Sequence, residues 1–203
     1  AEQLRLTEKT YDGFVRAGAL LSAEQKQRLK QINSRLSELS VTFAENLLAE
    51  NNAYTLEVAV DSLVGLPPTV RDAALDAGEA RGRKGRYIFT LDKPSMIPFL
   101  TYAKNRALRR EIYEAYLTRC NHDDEHDNKA VVSEMARLRS EKARLLGYDS
   151  YAAYVTADEM AGTPEAVYAV LDEIWTPALE RARAEVERME PLLPRDEGSE
   201  ATL

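Results

Sequence analysis

One continuous apolar stripe near the start of the chain is the strongest constraint on its fold. Ser22-Ala23-Glu24-Gln25 has the form of a capping box, in which the serine and glutamine side chains satisfy backbone amides at a helix start. At ~1.5 Å per residue, a helix from residue 22 to about residue 50 is about 40 Å long, which suits a wall better than a compact pocket. Beyond the capping box, apolar residues recur at steps of three and four on one helix face: Leu29, Ile32, Leu36, Leu39, Phe43 and Leu47.

Two short segments after this helix change to the pattern of β-strands. Residues 54–60 and 86–91 are rich in β-branched and aromatic residues. Between them, Gly65-Leu66-Pro67-Pro68 interrupts regular structure, and residues 69–79 are compatible with a short helix. Because an isolated strand is unstable, we expect the two strands to pair as a small antiparallel sheet.

Capping signals predict three further helices in the second half of the chain. They cover residues 95–119, the segment between Asn128 and Gly147, and the segment after Pro164, which we expect to kink at Pro177. The predicted fold class is mainly α: an elongated helical domain with a small two-stranded antiparallel β element. The residues that we expect to cap these helices are Ser95, Asp127 or Asn128, and Thr163.

Charge and cysteine content exclude several kinds of partner. The 27 lysines and arginines against 34 acidic residues give a net charge of -7, which repels the phosphate backbone of nucleic acids. The single cysteine, Cys120, cannot form an internal disulfide and is compatible with a reducing compartment. No segment approaches the ~20 apolar residues that a membrane span needs. We therefore expect no nucleic-acid partner, no membrane partner and a cytoplasmic location, with the periplasm as the alternative.

One segment resembles a metal-binding motif. His122-Asp123-Asp124-Glu125-His126 fits the inverted zinc motif His-x-x-Glu-His and contains both histidines of the chain. That motif works only if the segment is helical, so that His122 and His126 share a face, and if a third ligand converges on them. The flanking residues are polar and offer no apolar face to pack the turn against a core. We therefore interpret the segment as a polar loop, and keep a small hydrolase that uses His122, Glu125 and His126 as an alternative.

Several blocks of the sequence are informative when they are taken together. The blocks are Leu36-Ser37-Glu38-Leu39-Ser40, Leu63-Val64-Gly65-Leu66-Pro67, Asn105-Arg106-Ala107-Leu108-Arg109, residues 138–148 and Met160-Ala161-Gly162-Thr163-Pro164-Glu165. Each block is weak alone, but their order and spacing over about residues 5–190 resemble the thimet-oligopeptidase (M3) family of zinc metallopeptidases and make coincidence improbable. The segment Trp175-Thr176-Pro177-Ala178-Leu179 favours resemblance to the bacterial peptidyl-dipeptidase branch of that family.

The resemblance implies a mostly helical enzyme whose lobes flank a deep channel, so that only short peptides reach the zinc. The dipeptidase branch releases C-terminal dipeptides. The family's zinc ligands and glutamate base belong to a His-Glu-x-x-His helix that lies beyond the matched region, and this chain contains no such motif. We therefore predict no catalytic, cofactor-binding or metal-ligating residue in this chain, and we interpret Tyr148, Tyr151 and Tyr154 as packing residues.

These expectations define one leading hypothesis about the chain. Residues 1–190 are the helical N-terminal lobe of a larger peptidase, inactive alone, and residues 191–203 are a linker or truncated end toward the catalytic lobe. The expected partners are short peptide substrates and that C-terminal catalytic lobe of the same protein, with zinc in the full-length parent. The reading frame should then continue past Leu203. A helical interaction module that acts alone is the alternative, and it predicts a stop codon near that residue.

Overall fold

A computed structural model of the chain describes residues 2–192, and these residues are predominantly helical. None of the helices in this range is long and apolar enough to cross a membrane. The predicted linker, residues 191–203, lies outside the described residues except for its first two positions. The helices are α1 Glu2–Arg16, α2 Ala23–Ala53, α3 Pro68–Ala80, α4 Lys93–Tyr102, α5 Arg106–Leu117, α6 Lys129–Leu145, α7 Tyr151–Thr156 and α8 Pro164–Met189.

The chain divides into two compact units. One consists of residues 2–29 and 139–192 of the described range, and the other is Lys30–Leu138. The boundaries fall inside α2 and α6, so each unit contains part of both helices. The β element and the main apolar cluster belong to the second unit.

The capping box at the start of α2 is confirmed. The Gln25 amide donates 3.2 Å to the Ser22 hydroxyl, and the Ser22 amide donates 3.0 Å to the Gln25 side chain. The helix continues for 31 residues, slightly longer than predicted. Of its apolar stripe, Leu29, Ile32 and Leu39 are buried, whereas Phe43 is partly exposed.

The two predicted strands pair antiparallel, but they are shorter than expected. Strand β1 is Leu56–Val58 and strand β2 is Tyr87–Phe89, with Leu56 opposite Phe89. The side chain of Glu57 lies outside the core, where its carboxylate is 3.1 Å from the guanidinium of Arg86. The other residues of the predicted strands, 54–60 and 86–91, do not pair in the sheet.

The apolar core of the second unit forms where this β pair packs with α3, α4 and α5. Phe89 and Phe99 lie at its centre, with ring centroids 4.4 Å apart and rings tilted by 49°. Tilted aromatic pairs of this kind add to the free energy gained by burial. The buried members of the core are Leu56, Val58, Leu63, Leu66, Ala74, Phe89, Leu91, Met96, Phe99, Ala103 and Ile112.

The prediction of one helix over residues 95–119 is wrong. Helix α4 ends at Tyr102, and α5 begins at Arg106 after a cap in which the Asn105 side chain accepts a hydrogen bond from the Leu108 amide. The intervening backbone turns away because the Lys104 amide donates to the carbonyl of Val64, at 2.9 Å.

A glycine allows the chain to approach this helix break closely. Gly65 has a φ of +92°, and a Cβ at this position would collide with the carbonyl oxygen of Tyr102. The glycine therefore serves two needs at once, a left-handed backbone and a close approach between two segments.

The predicted cap at Ser95 is also wrong. Helix α4 starts two residues earlier, after Asp92, and no side chain caps it. The Ser95 hydroxyl instead accepts a hydrogen bond from the amide of Thr90, at 3.0 Å. The serine thus joins the end of the β2 segment to the first turn of α4.

Helix α6 begins and ends as predicted. Asn128 precedes it, and its end has the hydrogen bonds of a Schellman motif: the Tyr148 amide donates to the Ala143 carbonyl and the Gly147 amide to the Arg144 carbonyl. Gly147 has a φ of +84°, the left-handed conformation that this motif requires. Glycine adopts this conformation without strain, so Gly147 allows the chain to leave the helix after Leu145.

In the first unit, Arg16 at the end of α1 contacts α7 and the segment that precedes α7. Its guanidinium lies 4.7 Å from the ring centroid of Tyr154 and donates hydrogen bonds to the Tyr148 hydroxyl and the Tyr154 carbonyl. The Tyr148 and Tyr154 rings meet edge to face, with centroids 5.3 Å apart. Tyr148, Tyr151 and Tyr154 are thus packed together, as the sequence analysis expected.

Candidate functional site

The segment with both histidines is a loop, as predicted. Between α5 and α6, residues 121–128 are bends and turns, so His122 and His126 do not share a helix face. His122 instead faces Glu50 of α2, with its Nε2 atom 2.9 Å from the Glu50 carboxylate. His126 lies 3.8 Å from the exposed carboxylate of Glu125. The inverted zinc motif requires a helix, and this segment does not form one.

Glu50 holds the start of this loop in place. Its two carboxylate oxygens accept one hydrogen bond from the backbone amide of Cys120 and face the imidazole of His122. Cys120 has a φ of +56°, a conformation that few residues other than glycine adopt. A charged acceptor on its amide helps to stabilise this strained position, because hydrogen bonds to ionised groups are stronger than neutral ones.

The environment of Cys120 disfavours thiolate chemistry. The side chain is buried, and burial, followed by the neighbouring Glu50 carboxylate, raises the pKa of the thiol to about 11. Since the thiolate is the nucleophilic form of cysteine, this side chain is unreactive near neutral pH. The geometry therefore indicates that Cys120 is an inert thiol.

The other end of the loop is held by Asp127. Its carboxylate accepts hydrogen bonds from the backbone amides of Asp123 and Lys129, both at 2.8 Å, and lies 2.7 Å from the Lys129 ammonium. The ammonium, followed by the amide donors, lowers the pKa of Asp127 to about 2. Because the folded-state pKa is lowered, the stabilisation is present above pH 4 and is lost as the pH falls toward 2.

An open cavity of about 530 Å³ lies beside this loop. Its surface is mainly apolar, and the side chain of the buried Asn128 on its wall accepts a hydrogen bond from Asn46 and donates one to the Phe43 carbonyl. The lining residues are Phe43, Leu47, Arg119, Cys120, Asn128, Lys129, Val132 and Ser133. This mainly apolar lining has the chemistry of a packing surface.

A second cavity, of about 500 Å³, lies between α3 and the start of α4. Its lining includes small side chains of α3, Phe89 and the charged residues Arg81 and Asp92. Arg81 donates to the carbonyl of Ala77, and Asp92 accepts from the Thr90 hydroxyl. Both charged groups are therefore hydrogen-bonded to nearby backbone or side-chain atoms.

The described residues do not fit a zinc site. Within residues 2–192, no group of three or more histidine, cysteine, aspartate or glutamate side chains lies close enough to hold a metal ion. A structural zinc ion needs four such ligands and a catalytic one needs three. No step of a metal-dependent reaction can therefore be derived from these side chains.

Replacing Glu50 with glutamine should lower the free energy of unfolding by about 1.5–3 kcal/mol, the usual contribution of a hydrogen bond to a charged group. The substitution removes the carboxylate that serves both the Cys120 amide and the His122 ring. Urea unfolding measures the change. Glu45→Gln is the matched control, since this glutamate is exposed on the same helix, and equal losses in the two variants would contradict the assigned role.

Comparison with known proteins identifies similar sequences over almost the whole chain. The model of "Peptidase family M3" matches residues 99–201. Oligopeptidase A of Haemophilus influenzae is 37% identical over 191 residues, covering 92% of this chain and 27% of the relative. Dipeptidyl carboxypeptidase of Salmonella typhimurium is 34% identical over 200 residues, covering 97% and 29%. A probable cytosolic oligopeptidase A of Arabidopsis thaliana is 35% identical over 187 residues. The chain thus spans between a quarter and a third of the length of these relatives.

Proposed function

The chain belongs to peptidase family M3, and from this premise we propose that it is a non-catalytic helical portion of a longer zinc-dependent peptidase. The parent hydrolyses short peptides, and this portion forms a wall of the channel through which they pass. Family M3 enzymes depend on zinc in general, so the parent would hold the ion on residues outside this chain. We expect the parent to be located in the cytoplasm, which is a reducing compartment. The buried, unpaired thiol of Cys120 agrees with this location.

The observation that carries this proposal is the arrangement of the only two histidines. A His-Glu-x-x-His helix would need both of them one turn apart, but they lie in a loop and His122 is held by Glu50. The relatives that match nearly all of this chain are more than three times as long. The catalytic helix would therefore lie in the part of such a protein that this chain does not match.

The proposed wall function agrees with the form of α2. This helix is 31 residues long, and most of its side chains outside the apolar stripe are exposed and polar. A long helix with one buried stripe and a hydrated opposite face can border a water-filled passage without exposing a large apolar surface. Such a border limits access by size and supplies no reacting group.

Release of C-terminal dipeptides is the specificity that we assign to the parent. The segment of residues 175–179, which resembles the dipeptidase branch, supports it. The relatives include both dipeptidyl carboxypeptidases and oligopeptidases A. Internal cleavage of the same peptides is the outcome that would instead place the parent with oligopeptidase A.

Metal analysis of the isolated chain tests the non-catalytic assignment. After dialysis against micromolar zinc, the folded chain should retain no stoichiometric zinc, and its melting temperature should be the same with and without EDTA. The controls are His122→Ala and His126→Ala, which should leave the bound zinc unchanged. One zinc ion per chain that is lost in either variant would overturn the proposal and favour a hydrolase site at His122, Glu125 and His126.

A further inference from the structure

Helix α8 exposes an apolar face along its whole length. None of its 26 residues is buried, and the exposed fractions of Leu171, Ile174 and Trp175 are 53%, 57% and 65%. We define the α8 stripe as the residues that recur at steps of three and four on one face: Tyr168, Leu171, Trp175, Ala178, Ala182 and Val186. At ~1.5 Å per residue, this stripe is about 30 Å long.

A stripe of this size is unusual for a helix that remains in water. Helices at the surface of a protein normally turn one apolar face toward a core and expose a polar one. Scattered apolar side chains need no explanation, but a continuous apolar row on one face marks a surface that another segment covers. Burial of each large side chain is worth about 1.5–3 kcal/mol, so covering the α8 stripe would be strongly favourable.

We propose that the α8 stripe is the docking surface for a helix from the remainder of the parent peptidase. This inference rests on the proposed function, because it requires that the parent be longer than this chain. Two observations support that occupant. About 70% of the length of the matched relatives lies outside the aligned region, and α8 lies within the residues that match the family model.

The composition of the α8 stripe favours a helix as the covering segment. Large side chains occupy its first half, whereas the small residues Ala178 and Ala182 follow Trp175 before Val186. Ridges of side chains on one helix pack into grooves on another, and small residues allow the two axes to approach closely. The charged residues of α8 flank the stripe, as in the exposed pair of Arg181 with Glu185.

Two alanines on opposite faces of α8 provide a matched test. Ala182 lies in the stripe and Ala184 lies on the opposite face, and both are exposed in this chain. In the longer protein, Ala182→Arg should lower the melting temperature by several degrees, whereas Ala184→Arg should not change it. In the isolated chain, neither substitution should shift the melting temperature, because both positions face water.

Three outcomes would overturn the docking surface. Equal melting temperatures for the two variants of a longer protein that still cleaves peptides would reject the inference and leave the proposed function intact. A gene that ends near Leu203 would reject both. Self-association of the isolated chain, seen as a concentration-dependent blue shift in the emission of Trp175 and abolished by Ala182→Arg, would show that a second copy covers the stripe instead.

Discussion

Replacing Phe99 with alanine is expected to lower the free energy of unfolding by about 3–5 kcal/mol, the range found when a fully buried phenylalanine is truncated. Phe99 has no exposed surface and contacts Phe89 with a centroid distance of 4.4 Å, at the centre of the apolar core between the β pair and α4. Truncation removes both the burial of the ring and its tilted contact. The change is measured by urea unfolding followed by circular dichroism.

Ile97 provides the control for the Phe99 variant. It lies on the same helix two residues away, and 49% of its surface is exposed. Ile97→Ala should therefore cost less than about 1 kcal/mol, as surface substitutions usually do. A loss of the same size at both positions would show that the core is not centred on Phe99.

Replacing Gly78 with alanine is expected to destabilise the protein by about 2–3 kcal/mol, the upper part of the range for overpacked positions. Gly78 lies near the end of α3, where the chain turns back toward β2. A Cβ there would collide with the carbonyl oxygen of Arg86 and lie 3.1 Å from that of Arg83. Both obstacles are backbone atoms, which cannot rotate away as a flexible side chain can.

The opposite sign is expected for Gly13 in α1. A Cβ at Gly13 has no heavy atom within 4 Å, so only the intrinsic helix propensity changes. Gly13→Ala should therefore raise stability by about 0.5–1 kcal/mol. If thermal melts show that alanine stabilises both positions, the close approach of residues 83–86 to α3 is incorrect.

Local signals in the sequence predicted the elements whose ends are set by neighbouring residues. The capping box at Ser22, the glycine stop at Gly147 and the cap at Thr163 all act within a few positions, and each helix begins or ends where they indicate. The pairing of the two strands followed from their composition and from the instability of a lone strand. Such features depend on chemistry that is readable over a short window.

The features that the sequence analysis missed depend on contacts between distant residues. The break between α4 and α5 requires the hydrogen bond from Lys104 to Val64, and its local signal was Asn105, a residue that favours helix starts. The strands end early because most of their outer residues have irregular backbone and do not pair across the sheet. Helix α1 was not predicted either, and its apolar residues Leu4, Tyr11 and Phe14 face water rather than a core.

The same distinction applies to the candidate site. The polar neighbours of His122 and His126 predicted a loop, because no apolar residue could pack a helix there. The partner of that loop, Glu50, lies 72 positions before His122 and has no sequence signal of its own. The inert state of Cys120 likewise follows from burial beside Glu50, which only the three-dimensional arrangement reveals.

The most direct test of the non-catalytic assignment is hydrolysis of an internally quenched short peptide. It is measured in parallel for the isolated chain and for the longer protein from the same gene. The longer protein should cleave the peptide and lose activity with a zinc chelator, while the isolated chain should show no turnover at any zinc concentration. Turnover by the purified chain that disappears in His122→Ala would contradict the assignment of these helices to a non-catalytic wall.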